Sequence, residues 1–324
     1  MYRVSRRQFL GMAGSLVGAL GWGGCGDIAW AAKSADVGSG PPRTGPASVP
    51  AVAEALQTLA SGTAPLLWLH GQSCSGCSVS FLNAAYPDVA AVLTQYVSVG
   101  YHSTISAASG TVAAEAVNRT IAAGGYTLVV EGAVPHGMPA ACETMGEEFG
   151  SLLTRAARSA KAIVAVGTCA AFGGIPAAPP NPTGAVSVSK FLGSSRGSTP
   201  LINLPGCPIH PDWLIGTVVH LLKAGVPKLT EHGCPQLFYG ETIHARCPEF
   251  YNYNMDKFAR FFGDSGCLFK LGCMGIRTNA DCSIRRWNTK TSWCVEAGAP
   301  CIGCAQPEFA QDRDFAFYRV REQS

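Results

Sequence analysis

The chain has 324 residues, 47% of them hydrophobic, which is enough for a sizeable core in one large domain or two smaller ones. Charged residues make up only 14%, against about 25% in an ordinary soluble protein, so part of the surface is expected to lie under a large partner. The formal charge of +3 falls toward neutral once Arg3, Arg6, Arg7 and Asp27 of a removable N-terminus are set aside, and that balance argues against nucleic acid as a partner.

Residues 1–31 carry Ser5-Arg6-Arg7-Gln8-Phe9-Leu10, a weakly apolar stretch rich in glycine, and Ala29-Trp30-Ala31. Paired arginines, a short apolar region and an A-x-A site have the form of a twin-arginine export signal, which predicts a periplasmic protein exported in its folded state. A run this short and glycine-rich spans a bilayer poorly, and no later stretch approaches transmembrane length. A lipid anchor through Cys25 would need a better acylation site than Trp22-Gly23-Gly24. Residues 32–62 read as a Gly/Pro/Ser-rich tether followed by a short helix.

From residue 63 to 230 the pattern is one of short apolar runs alternating with helix-compatible segments. Pro65 to His70 precedes a glycine loop and a helix from Ser78 to Ala85. Val97 to Val99 precedes a helix from Val112 to Ala123, and Tyr126 to Val130 precedes the loop Glu131 to Pro135. Lys161 to Val166 leads into Gly167-Thr168-Cys169, and Leu201 to Leu204 into Pro205-Gly206-Cys207-Pro208. Continuous apolar strands separated by helices predict a parallel sheet covered on both faces, a flavodoxin-like α/β sandwich.

That topology gives the cysteines a meaning. Fourteen of them in a large, apolar, exported chain do not fit the disulfide framework of a small secreted domain. Cys74 and Cys77 follow one predicted strand, Cys169 a second and Cys207 a third, and the carboxyl ends of parallel strands share one edge. Four thiolates meeting there suit tetrahedral zinc or an iron-sulfur cluster. Gly71, Gly76, Gly167 and Gly206 beside them allow the backbone to approach closely and favour the cluster.

Residues 231–324 are different, with little periodicity apart from a possible helix around Asp256 to Phe262. From His244 the ligand candidates are His244, Cys247, Cys267, Cys273, Cys282, Cys294, Cys301 and Cys304, enough for two further four-ligand sites. A small irregular domain of this kind is expected to be held together by its metal centres more than by a core. Cys142, expected in a helix, and Cys234, in a glycine-proline turn, are expected to be unreactive thiols.

The ordered motifs Cys74-Ser75-Gly76-Cys77, Glu131-Gly132-Ala133-Val134-Pro135, Gly167-Thr168-Cys169-Ala170-Ala171-Phe172-Gly173-Gly174, Pro205-Gly206-Cys207-Pro208, His244-Ala245-Arg246-Cys247 and Pro300-Cys301-Ile302-Gly303-Cys304 resemble the small subunit of periplasmic nickel-iron hydrogenases. The resemblance covers nearly the whole chain. It implies an electron-transfer subunit, in a heterodimer with a large subunit that holds the nickel. It implies a proximal 4Fe-4S cluster on Cys74, Cys77, Cys169 and Cys207, and a distal 4Fe-4S cluster on His244, Cys247, Cys267 and Cys273. Cys282, Cys294, Cys301 and Cys304 are left to a medial cluster.

In many family members the position seven residues before the final C-x-x-C is proline, and the medial centre is then 3Fe-4S. Here that position is Cys294, a pattern similar to the nickel-iron-selenium branch, which implies a medial 4Fe-4S cluster. An external carrier such as a multihaem cytochrome c is implied as the electron acceptor. Glu131, on the same sheet edge as the proximal cysteines, is a candidate for a proton or interface role. Two other readings fit the thiols, a free-standing polyferredoxin-like carrier and a structural zinc protein.

Overall fold

The structure is a computed structural model that describes residues 64–311. The expected export signal, Cys25 and the whole of the tether with its short helix lie outside the described residues. Five runs form one parallel sheet: β1 (Ala64–His70), β2 (Val97–His102), β3 (Thr127–Glu131), β4 (Ala162–Val166) and β5 (Leu201–Leu204), in the order β2-β1-β3-β4-β5. This is the flavodoxin order, with its switch point between β1 and β3. Every residue of β3 and β4 is buried, as expected of a strand covered on both faces.

The helices follow the strands. In chain order they are α1 (Gly76–Leu82), α2 (Gly110–Ala123), α3 (Phe149–Ser159), α4 (Gly167–Phe172) and α5 (Pro211–Ala224). Leu67, Leu69, Leu128, Val130, Ile163 and Ala165 point to the face that α2 and α3 cover with Ala113, Val117, Ile121, Leu152 and Leu153. Leu66, Trp68, Val129, Val164, Ile202 and Leu204 point to the face covered by Phe81 of α1 and by Trp213, Leu214 and Ile215 of α5. The alternation is the period-2 geometry of a strand.

The carboxyl ends of four strands stand in register. His70 pairs with Glu131, Glu131 with Val166 and Val166 with Leu204, so the loops that follow leave the sheet along one line. This register, more than the fold class, brings residues distant in sequence together.

Beyond α5 the helices are short, such as Phe250–Asn254 and Cys282–Arg285. The expected helix at 256–262 does not form. The chain turns at Asp256, whose φ is +54°, and the Asp264 carboxylate accepts hydrogen bonds from the Arg260 and Phe261 amides, holding a turn there. Cys142 is not helical either; it follows a 3₁₀ turn at Pro139–Ala141 in extended conformation.

The C-terminal region also has more core than its sequence suggests. Ala280, Cys282, Trp293, Cys301 and Ala305 are buried in the same cluster as α5. The joint is aromatic: the Trp213 ring lies 5.0 Å from Tyr239 and 6.1 Å from Trp287. Trp213 Nε1 donates to Asp281 Oδ1 at 2.7 Å, and Arg285 bridges Asp281 at 2.6 Å and Asp212 at 3.2 Å. No helix among the described residues is long and apolar enough to cross a membrane. Trp213→Ala is expected to destabilise the protein by about 3–5 kcal/mol, read as a lower thermal-unfolding midpoint, because it removes a fully buried ring and strips Asp281 of a donor.

Candidate functional site

The first group of thiols sits on the line of strand ends. After β1, Gly71 donates to the Glu131 carbonyl at 2.8 Å and Gln72 to the Ala133 carbonyl at 2.9 Å. A Cβ on Gly71 would stand 2.4 Å from the Ala133 oxygen, so the chain can pass here only as glycine. Cys74 is then exposed, and Cys77 is buried in the first turn of α1. Cys169 lies in α4, which starts at Gly167 with φ +82°; a Cβ there would stand 2.5 Å from the Cys77 sulfur. Cys207 follows β5 and is half-buried.

The four thiols feel one another. Burial pushes the Cys169 thiol up to about 12, with Cys207 and Cys74 raising it further. Cys77 is raised well above the ordinary range by burial first, then by Glu131, Cys169 and Cys207. Burial and Cys74 raise Cys207. Thiolates in such a place need a cation to balance them, which is the condition a metal centre meets.

A second group gathers Cys282, Cys294, Cys301 and Cys304. Cys282 is raised well above the ordinary range by burial, then by Cys304, Cys301 and, with a smaller share, Cys294. Cys304 is pushed up to about 12 by burial; the Cys207 backbone amide opposes this, while Cys294 and Cys207 add to it. Cys294, at an exposed position, adds to the shifts of Cys282 and Cys304, while its own thiol is raised by burial and then by Cys273 of the third group.

In the third group, His244, Cys247, Cys267 and Cys273 line a single small cavity with Leu268, Trp293 and Val295. Cys247 is pushed up to about 11 by burial, with Cys273 and Cys267 contributing. Burial lowers the pKa of His244, which keeps its ring neutral and able to ligate. The ring is held edge-on by Phe250 at 5.1 Å and Tyr253 at 4.5 Å.

The groups are joined in series. The Cys301 amide donates to Cys273 Sγ at 3.3 Å, linking the second group to the third. The Thr168 hydroxyl links the first to the second, accepting from the Gly206 amide at 2.8 Å and donating to the Cys304 carbonyl. No three His, Cys, Asp or Glu side chains among the described residues converge on one point as ligands of a single ion would. All thirteen described cysteines are free thiols. Cys142 and Cys234 stand apart from the groups; burial raises both, Cys234 to about 12.

Sequence reasoning singled out Glu131 but missed its neighbours. The carboxylate is 2% exposed and accepts from the Cys77 amide at 3.1 Å, the Ser78 amide at 3.2 Å and Ser78 Oγ at 2.5 Å. His70 Nε2 lies 3.3 Å from the same carboxylate. His102 Nδ1 accepts from the Thr104 amide at 3.1 Å, which places the proton of the neutral ring on Nε2, facing Ser78 Oγ at 3.4 Å. His70 and His102 carried no motif of their own; only the strand register shows that they share an edge with Glu131. Thr168 was quoted within a motif without a role, yet it is 1% exposed, its hydroxyl accepts from the Gly206 amide at 2.8 Å, and it donates to the Cys304 carbonyl.

Burial, and to a lesser extent His70, lowers the His102 pKa from 6.5 to about 4. The neutral ring therefore contributes stability that is complete above pH 6.5 and is lost as the pH falls toward 4, by roughly 3 kcal/mol. The unfolding midpoint of His102→Gln, followed across that window, is expected to fall less steeply with acid than that of the wild type.

Two family models match the chain: one for the 20 Kd subunit of NADH ubiquinone oxidoreductase, over residues 74–221, and one for the C-terminal part of the NiFe/NiFeSe hydrogenase small subunit, over residues 239–317. The periplasmic [NiFeSe] hydrogenase small subunit of Desulfomicrobium baculatum is 41% identical over 271 residues, 76% of this chain and 84% of its own. The periplasmic [NiFe] hydrogenase small subunit of Solidesulfovibrio fructosivorans is 36% identical over 318 residues, 94% of this chain and 90% of its own. Among solved structures, the [NiFeSe]-hydrogenase of Dm. baculatum superposes with a TM-score of 0.75 at 40% identity, covering 79% of this chain and 99% of that one. The recombinant [NiFeSe] hydrogenase of Desulfovibrio vulgaris Hildenborough gives 0.75 at 41%, covering 81% and 99%.

Proposed function

The chain belongs to the small-subunit family of nickel-iron and nickel-iron-selenium hydrogenases, and from that premise we propose that it relays electrons between the nickel site of a large subunit and an external carrier through three 4Fe-4S clusters. The observation that supports the reading is the serial connection of the thiol groups, the first to the second through the Thr168 hydroxyl and the second to the third through the Cys301 amide. A structural zinc protein has no use for such a series; a free-standing polyferredoxin-like carrier would share it and is distinguished by being recovered without a nickel partner.

Cys74, Cys77, Cys169 and Cys207 would hold the proximal cluster; Cys282, Cys294, Cys301 and Cys304 the medial one; His244, Cys247, Cys267 and Cys273 the distal one. When bound, each cluster would take up and release one electron at a potential set by ligand charge, hydrogen bonds to sulfur and exposure. The residues fit a group larger than an ion. Each iron of a cubane takes its own thiolate, so the ligands stand around a cage and do not converge on a point, and Gly167 leaves free the space its side chain would take against Cys77. Glu131 fixes the first turn of α1, and with it Cys77, through the Cys77 and Ser78 amides.

The partner's place is supported by exposed apolar side chains on the elements that carry the first group. Val79 and Leu82 of α1, Tyr86 beyond it and Ile175 after α4 are all exposed, as is Cys74. We further propose export through the twin-arginine signal to the periplasm, the location named for the relatives, and a multihaem cytochrome c as carrier. Anaerobic purification with metal analysis decides the reading: about twelve irons per chain, together with a larger nickel protein, are expected. Stoichiometric zinc, or recovery of the chain alone, overturns it.

Cys294 is the sharpest point. The oxidised wild type is expected to lack a 3Fe-4S signal in electron paramagnetic resonance, and Cys294→Pro to show one; a strong signal in intact wild type makes Cys294 a bystander. His244→Cys adds a negative charge at the distal centre, so its potential is expected to fall, measured by redox titration, and reduction of the external acceptor to slow. Hydrogen-deuterium exchange at nickel is expected to persist in that variant, and its loss would contradict a distal position for His244.

A further inference from the structure

Thr168 stands at the junction of the first two thiol groups and belongs to neither. Its amide donates to the Gly206 carbonyl at 3.0 Å, and its hydroxyl accepts from the Gly206 amide at 2.8 Å. That hydroxyl has one hydrogen, and it is given to the carbonyl of Cys304, 136 residues further along the chain. Gly206 is the residue before Cys207, so the bond from its amide fixes the peptide that leads into that ligand candidate. The hydroxyl therefore ties three things with two bonds: the loop carrying Cys169, the loop carrying Cys207 and the C-x-x-C turn carrying Cys301 and Cys304.

We propose that Thr168 is the positioning residue of this junction: by holding the Gly206 peptide and the Cys304 carbonyl on one oxygen, it fixes the segment that leads into Cys207 against the turn that carries Cys301 and Cys304, and so sets both the potential of the centre on Cys304 and the ease with which electrons pass between the two groups. The inference rests on the functional reading above. A hydrogen bond donated to the carbonyl of a ligand residue places positive dipole beside the centre, stabilises the electron-richer, reduced state and raises the potential, and the two bonds on the Thr168 hydroxyl also provide a bonded path from the Gly206 peptide to Cys304. Neither effect survives if the turn drifts. Thr168 is buried, and no other side-chain hydroxyl among the described residues bonds both Gly206 and Cys304.

The electron balance is simple. Each dihydrogen split at the partner's nickel gives two protons to solvent and two electrons, which cross the junction one at a time and reduce two molecules of an oxidised viologen supplied as acceptor.

The test uses the intact heterodimer with Thr168→Val, which keeps the shape and removes the hydroxyl, and Thr168→Ser, which restores it. In Thr168→Val, amide exchange by mass spectrometry in the peptide spanning residues 300–306 is expected to quicken about fivefold, the loss of one hydrogen bond. The potential of the medial centre is expected to fall, and viologen reduction to drop relative to hydrogen-deuterium exchange at nickel. Thr168→Ser is expected to match the wild type in all three. A purely structural role would quicken amide exchange and leave the potential and the rate ratio unmoved, which overturns the proposal. Should the valine variant not assemble, a serine variant with a shifted potential overturns it equally. Absence of iron in the wild type would sink the functional reading itself, a separate outcome.

Discussion

A buried thiol resists ionisation, and several buried thiols side by side resist it more. Desolvation is the largest cause of every raised cysteine in the three groups, and neighbouring sulfurs add to it. Such a set is tolerable as thiolates only around a cation, so the groups are built for a metal centre to complete. The rest of the architecture follows from the need to bring those thiols together without filling the space between them. The parallel sheet meets that need at its edge, where His70, Glu131, Val166 and Leu204 stand abreast and each strand hands over to a loop. Glycines at 71 and 167 keep side chains out of the way.

The C-terminal region solves the same problem without a sheet. It is tied to α5 by the Trp213, Tyr239 and Trp287 rings and by the Asp212, Arg285, Asp281 chain, and its buried cysteines are part of the common core. The aromatic and ionic joint helps to fix the second group relative to the first. Cys301 and Cys304 are central to this arrangement. One end of their turn receives the Thr168 hydroxyl, and the other sends its amide to the Cys273 sulfur.

Much of this was legible in the chain because the signals were redundant. The five strands were found within a few residues, since runs such as Ala-Ile-Val-Ala-Val are apolar throughout and a two-sided sheet buries every position. The first four ligand candidates could be singled out because Cys74, Cys77, Cys169 and Cys207 each follow a strand end beside glycine, while the other eight rest on their spacing in the irregular region. What failed were places where tertiary contacts override local preference. The helix expected at 256–262 is displaced to Phe250–Asn254, where Phe250 and Tyr253 brace the His244 ring. Ser78, His70 and His102 could not be read as partners of Glu131, because their association depends on the pairing of β1 with β2 and β3 and on the docking of α1. The shared core of the C-terminal region was invisible for the same reason: cysteines counted as ligands also serve as apolar packing.

The low charge content of the chain has a local counterpart in the fold. Among the exposed apolar side chains, Val79, Leu82, Tyr86 and Ile175 lie on segments that carry or follow the cysteines of the first group, and Cys74 is exposed too. A second, Phe250, Tyr251, Met255, Phe261 and Phe262, follows His244 in sequence and includes the ring that braces it. In the second group Cys282 and Cys301 are covered and Cys294 is exposed, while exposed apolar side chains accompany the segments of the first and third groups. The ends of an electron carrier must come close to other molecules, whereas its centre must be shielded so that electrons leave only by way of the next set of ligands. On this view the poverty of surface charge and the abundance of cysteine express one design, in which the two partners complete the surface at opposite ends of a single line of sulfur.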